Sequence, residues 1–223
     1  MHSRTRSLTI LFSTVVILLT GHGLQLTLLP LRAEGLGWSV TEIGMTGSFY
    51  FLGFLLGCIF VPRFVSGVGH IRVFSTMTTI NGAALLCIVF SDDPWVWSFL
   101  RLLTGVGISG AYLIIESWIN EQTTEKNRGQ LLAIYTMLVL LSMSVGQLMI
   151  NFGNPTGVTT LVMGSLLLSL SVIPVSLSRV HQPAPLSNIE FKFREIFAAS
   201  PAAVGGAFAI GTVTGVLFTL TPV

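Results

Sequence analysis

Three polar side chains fall inside long apolar runs, where their chemistry has no solvent to dilute it: His22, Gln25 and Arg101. Arg101 follows Trp95 by six residues, roughly 9 Å down a helix rising 1.5 Å per residue. A cation in that position costs about 2.5–3.5 kcal/mol on insertion scales, so such residues mark ion or substrate paths. The chemistry open to Arg101 is anion binding or proton coupling in a central cavity. The alternative is a structural Arg that hydrogen-bonds neighbouring backbone or snorkels outward. His22 and Gln25 precede Pro30 by eight and five residues, at depths close to that of Arg101. A neutral imidazole there could accept a proton near physiological pH, or serve only as a hydrogen-bonded packing group. Tyr112, eleven residues after Arg101, lies within about 20° of it around a helix and faces the same side.

A second group sits at the opposite boundary. Glu116 is about 22 Å along the axis from Arg101, too far for a direct pair. Its neighbours Trp118 and Asn120 suit a gate or loop-anchoring role with Arg63, Arg72 or Arg128. Asn81, Gln147 and Asn151 are weaker polar candidates. No Ser–His–Asp constellation or metal-ligand cluster appears in the apolar runs, and Gly105-Val-Gly107 follows no strand, so it is no phosphate loop. Cys58 and Cys87 lie in apolar runs and read as small hydrophobes. Gly53-xxx-Gly57, Gly105-xxx-Ser109 and Gly211-xxx-Gly215 are small-residue patterns that let helices approach closely. The expectation is a protein without cofactor or metal that is no enzyme.

The elements that must position these residues follow from composition. Hydrophobic residues make up 52% of 223 positions and charged residues 9%, against about 25% charged in soluble domains; mean hydropathy is +0.82. Net charge is +2, which points to no nucleic-acid partner. Seven runs match the roughly 20 residues that cross a bilayer: 8–29, 42–61, 73–90, 95–118, 131–150, 158–177 and 202–222. They lack the alternation of barrel strands, so the fold expected is all-α and multi-pass. The run from Leu8 exceeds a secretory signal and ends without a small-residue cleavage site, so it reads as a retained anchor helix. Alternating spans put Arg4, Arg6, Arg63, Arg72, Lys126, Arg128, Arg179, Lys192 and Arg194 on one side. That side is cytoplasmic by the positive-inside rule, which places the N-terminus inside. Trp38, Trp95 and Trp97 fit an outer aromatic belt, and Trp118 an inner one. Between 179 and 200, Ile189, Phe193, Ile196 and Phe197 recur at helical spacing and suit an interfacial helix.

The first run ends Gly23-Leu-Gln-Leu-Thr-Leu-Leu-Pro30, and the last ends Gly215-Val-Leu-Phe-Thr-Leu-Thr-Pro222; four of eight positions coincide. A parallel repeat after six helices is what the halves of one transporter class show. Gly57-Cys-Ile-Phe-Val-Pro-Arg63, followed by Val68-Gly69-His70-Ile71-Arg72, resembles the signature loop of the major facilitator superfamily. Arg101-Leu-Leu-Thr-Gly105-Val-Gly107-Ile-Ser-Gly110 resembles that family's fourth-helix pattern. Glu116-Ser-Trp-Ile-Asn120 resembles an uncharacterised bacterial subgroup. The sequence departs from the signature at Val61-Pro62, where the family carries an Asp that helps hold the inner gate, and Val65-Ser66-Gly67 stretches the loop.

The resemblance implies a six-helix N-terminal bundle (1–178), a cytoplasmic linker with an interfacial helix (179–200) and helix seven of a second half (201–223). It implies a secondary transporter of the inner membrane, moving a small solute by alternating access, coupled to protons or acting as an exporter. His22, Gln25, Arg101 and Tyr112 would form the cavity; Gly57, Arg63, Gly69, His70, Arg72 and Glu116 would form the gate and signature loop. Besides lipid, the expected partner is a small solute, with an anionic one suggested by Arg101. A full member has twelve helices, so the chain reads as truncated, with a missing C-terminal half needed for a complete site and no transport by the fragment alone. The rival reading is a seven-helix receptor or sensor; with no Lys in the seventh run, it could form no retinal Schiff base.

Overall fold

The computed structural model describes residues 2–155, 157–177 and 197–220, with side chains from residue 7 to residue 215 of that set. Its elements are helices: α1 (His2–Gly35), α2 (Val40–Val68), α3 (His70–Cys87), α4 (Pro94–Glu121), α5 (Arg128–Leu148), α6 (Val158–Leu170) and α7 (Pro201–Leu220). Short 3-10 turns extend α3 and α5, and a helical turn at Ile173–Ser176 prolongs α6. Among the described residues, six helices are long and apolar enough to cross a membrane, and no strand occurs. The all-α, multi-span expectation therefore holds.

Local chemistry sets several helix starts. Ser39 and Glu42 form a capping box: the Ser39 backbone N–H donates to the Glu42 carboxylate at 2.8 Å, and the Glu42 N–H donates back to Ser39 Oγ at 3.3 Å. Asp93 Oδ1 accepts from the N–H groups of Trp95 (2.7 Å) and Val96 (3.2 Å), with Pro94 at the first helical position, where its missing N–H costs nothing.

Packing runs in pairs: α2 against α4, α1 against α5, and α3 against both α4 and α6, with α1 also on α6. Glycines set the close pairs. A Cβ on Gly53 would strike the Leu102 carbonyl, one on Gly57 the Ser109 hydroxyl, and one on Gly105 the Tyr50 carbonyl. The two small-residue patterns Gly53-xxx-Gly57 and Gly105-xxx-Ser109 are thus the two faces of one contact. Gly23 and Gly146 do the same between α1 and α5, meeting Met143 and Thr20 backbone. Gly211-xxx-Gly215 does not: Gly211 has nothing within 4 Å of a Cβ, and Gly215 meets only the ring of Phe51 on α2.

Three sequence expectations are corrected. The segment 62–72 is not a loop, because α2 continues through Pro62 to Val68 and α3 begins at His70. Pro62 removes one backbone donor, a loss that membrane helices tolerate, and the whole turn is Gly69. Its φ of 90° favours glycine, and its N–H donates to the Val65 carbonyl at 3.0 Å. Val65, Ser66 and Gly67 extend a helix rather than a loop. Likewise α1 runs past Pro30 to Gly35. The tryptophan belts also change. Trp95 is exposed, but Trp97 is buried, packed at a tilt of 57° against Trp38 with centroids 4.6 Å apart and donating its indole N–H to the Ser91 carbonyl at 2.6 Å. Trp118 is buried between His70 and Phe74. Of the expected interfacial helix, Ile189, Phe193 and Ile196 lie outside the described residues, as does the repeat's Pro222, while Phe197 is described and helical.

Gly105→Ala should lower stability in detergent by about 1–3 kcal/mol, because the new methyl overpacks the α2–α4 contact despite the better helix propensity of Ala. Gly206→Ala, with nothing within 4 Å, should leave the unfolding midpoint unchanged or raised.

Candidate functional site

The polar cluster forms where α1, α2 and α4 meet. On α1, Gly21 turns toward Leu167 of α6 and Gly23 toward Met143 of α5. His22, between them in sequence, points away from both toward α2 and α4. Its Nε2 lies 3.3 Å from the Tyr50 hydroxyl of α2. The His22 ring stacks on Tyr50 at 6.1 Å and meets the Tyr112 ring of α4 edge-on at 6.5 Å. The Arg101 guanidinium carbon sits 4.5 Å from the centre of the Tyr50 ring, a cation–π arrangement. His22, Tyr50 and Arg101 are respectively 3%, 4% and 3% exposed, so the cluster is closed off in this conformation.

The structure therefore brings together three of the four expected cavity residues, His22, Arg101 and Tyr112. Gln25 is fully buried one turn further along α1, and neither of its amide atoms has a hydrogen-bond partner among the described residues. Tyr50 is the residue that sequence reasoning missed, although it is the hub of the group. A signal for it existed: Tyr50 lies three residues before Gly53 and seven before Gly57, on the face those glycines turn to α4.

Several atoms of the cluster are unsatisfied. Arg101 Nε and Nη1, His22 Nδ1 and both Gln25 amide atoms are buried without hydrogen-bond partners among the described residues. No carboxylate pairs with Arg101 there, and its charge rests against the Tyr50 ring. The α4 backbone beneath is held from two sides. Thr104 Oγ1 donates to the Arg101 carbonyl at 2.9 Å. The fully buried Asn81 amide of α3, with its nitrogen toward α4, donates to the Thr104 carbonyl and accepts from the Ile108 N–H, each at 3.0 Å.

The residues expected at the gate separate. His70 begins α3, buried, with Nε2 3.3 Å from the Ser117 hydroxyl and its ring stacked on Trp118 at 6.1 Å. Gly57 is a packing glycine of α2. Arg63 lies on α2 over the Phe60 ring at 5.6 Å, and Arg72 lies in the first turn of α3. Glu116 forms no ion pair with Arg63, Arg72 or Arg128 among the described residues; it faces Tyr112 and Tyr135. Glu116 lies one helical turn from Tyr112 on α4, on the same face.

This architecture can be placed among known proteins. The sequence pattern of the Major Facilitator Superfamily matches residues 11–223. The chain belongs to that superfamily. Its curated relatives include uncharacterised MFS-type transporters. One is the MFS-type transporter YcaD of Escherichia fergusonii, 25% identical over 98% of this chain and 58% of that protein. Another is YcaD of Salmonella arizonae, 25% identical over 100% of this chain and 59% of the relative. An MFS-type transporter of Yersinia pestis strain Pestoides F is 25% identical over 88% and 52%. The chain spans between 52% and 59% of the length of these relatives. Within this facilitator chain, α1 to α6 form the packed bundle and α7 lies against α2 and α1.

The Tyr50 geometry yields a graded prediction. Tyr50→Phe keeps the ring beneath Arg101 and loses the hydroxyl facing His22, a cost of about 0.5–1.5 kcal/mol. Tyr50→Leu also loses the cation–π face and should cost about 0.5–2 kcal/mol more. Unfolding of both variants in detergent measures the difference.

Proposed function

We propose that this facilitator chain supplies the N-terminal half of the solute path of a secondary active transporter. It moves a small anionic solute by alternating access across the bacterial inner membrane, coupled to protons. Residues 1–178 are the N-terminal bundle, 179–200 the cytoplasmic linker and 201–223 the start of the second half, which completes the site. His22, Gln25, Arg101 and Tyr112, joined by Tyr50, contact the solute or its coupled proton. The chemistry requires no cofactor and breaks no covalent bond.

The observation that carries this reading is the Arg101 guanidinium: buried, stacked on Tyr50 and, among the described residues, without a carboxylate or a hydrogen-bond acceptor for Nε and Nη1. A buried charge with no partner is costly, and an anionic solute is the species that compensates it. His22 sits against both Arg101 and Tyr50, where gain of a proton would add a second positive charge beside the first. Solute binding and proton binding are therefore coupled through Coulomb interaction. The closure of the cluster supports an occluded conformer, since a solute reaches Arg101 only when the helices around it part.

In sealed vesicles carrying this chain joined to a complete second half, Arg101→Met should abolish uptake of the transported anion without lowering membrane expression; normal uptake by the variant would refute the reading. The orientation has its own test. Single cysteines beside Arg128 and at Ser91, labelled by an impermeant maleimide in intact cells, should react only at Ser91. Labelling beside Arg128 instead reverses the topology.

A further inference from the structure

The unsatisfied atoms of the cluster ask for more than a negative charge. Arg101 offers donors from Nε and Nη1. Gln25 offers a donor and an acceptor, Nε2 and Oε1, and the residue is fully buried. His22 offers Nδ1. A plain carboxylate accepts hydrogen bonds and gives none, so it cannot itself satisfy the fully buried Gln25 carbonyl oxygen. Buried acceptors are not normally left unpaired.

Helix geometry brings these groups to one level. His22 and Gln25 are three residues apart on α1, about 60° around and about 4.5 Å along the axis. Side chains lean toward the N-terminus of their own helix. Gln25 therefore leans back over the His22 turn. Arg101, on antiparallel α4, leans the other way, from the level of His22 toward that of Gln25. His22 and Arg101 already meet across Tyr50.

We propose that the solute is a small 2-hydroxy carboxylate, whose carboxylate is taken by Arg101 and whose hydroxyl is read by Gln25 together with His22. This rests on the anionic-solute reading above. A hydroxyl suits the site better than an ammonium group, because an ammonium would stand beside Arg101 with no carboxylate among the described residues to neutralise it. A hydroxyl both donates and accepts, matching the two-sided amide of Gln25. Sites built around such a hydrogen bond reject the analogue lacking it far more strongly than apolar pockets reject a missing methylene.

The test is a binding comparison with the purified protein in lipid nanodiscs, using lactate, propionate and alanine, with calorimetry as readout. Lactate should bind at least about 30-fold more tightly than propionate or alanine. Gln25→Met should bring lactate and propionate within threefold of each other, while Arg101→Met should abolish both. Equal binding of lactate and propionate to the wild type, both lost in Arg101→Met, overturns the hydroxyl assignment and leaves the anion site standing. Alanine binding as tightly as lactate also overturns it. Binding of all three unchanged by Arg101→Met overturns the anion reading itself. The wild-type comparison decides the matter even where Gln25→Met does not fold.

Discussion

A guanidinium enclosed by apolar helices has few ways to be stabilised, and Arg101 uses only some of them. The Tyr50 ring supplies a face for the charge, yet among the described residues Nε and Nη1 remain without acceptors and no carboxylate stands by. Most of a membrane protein's polar groups must find partners within the chain, because hydrocarbon offers none. The backbone around Arg101 obeys that rule: Thr104 covers the Arg101 carbonyl, and Asn81 binds the Thr104 carbonyl and the Ile108 amide. Against this order, the open valences of Arg101, Gln25 and His22 stand apart, and a solute-binding role explains them.

The glycine contacts serve the same end. Tyr50 can lie beneath Arg101 because its own carbonyl abuts Gly105, one turn from Arg101 on α4. Gly53 and Gly57 continue that contact down α2, so the register between the helices is set by backbone against backbone. On α1, Gly23 lets α5 approach, which leaves His22 directed at α2 and α4. Packing chosen for closeness thereby fixes the angle at which three polar side chains meet.

Much of this was legible in the sequence, unevenly. The spans were plain because each is an uninterrupted apolar run of membrane length, and Arg101, His22 and Tyr112 were visible as polar residues placed in such runs at matching depth. The small-residue patterns on α2 and α4 announced close packing, although not that they face each other. Helix ends were less visible: Pro62, Arg63 and Ser66 look like a loop by polarity, whereas α2 carries them as helix until Gly69 supplies the turn. Trp97 and Trp118 have belt-like positions but are buried, since position along a helix does not reveal the direction of a side chain. Tyr50 was hidden among Phe49, Phe51 and Leu52, where only its spacing from Gly53 and Gly57 distinguishes it from lipid-facing neighbours. For Gln25 the burial was foreseeable, but its lack of partners is a property of three-dimensional surroundings.

The central claim is that Arg101 awaits a negative charge that the solute brings. Its most direct measurement supplies that charge from within, by placing an acid at His22, the α1 residue that meets Arg101 across Tyr50. If the account holds, His22→Glu raises the thermal midpoint in detergent and removes anion binding, because the site then carries its own counter-ion. If the variant is no more stable than the wild type and still binds the anion, Arg101 is already satisfied and is structural.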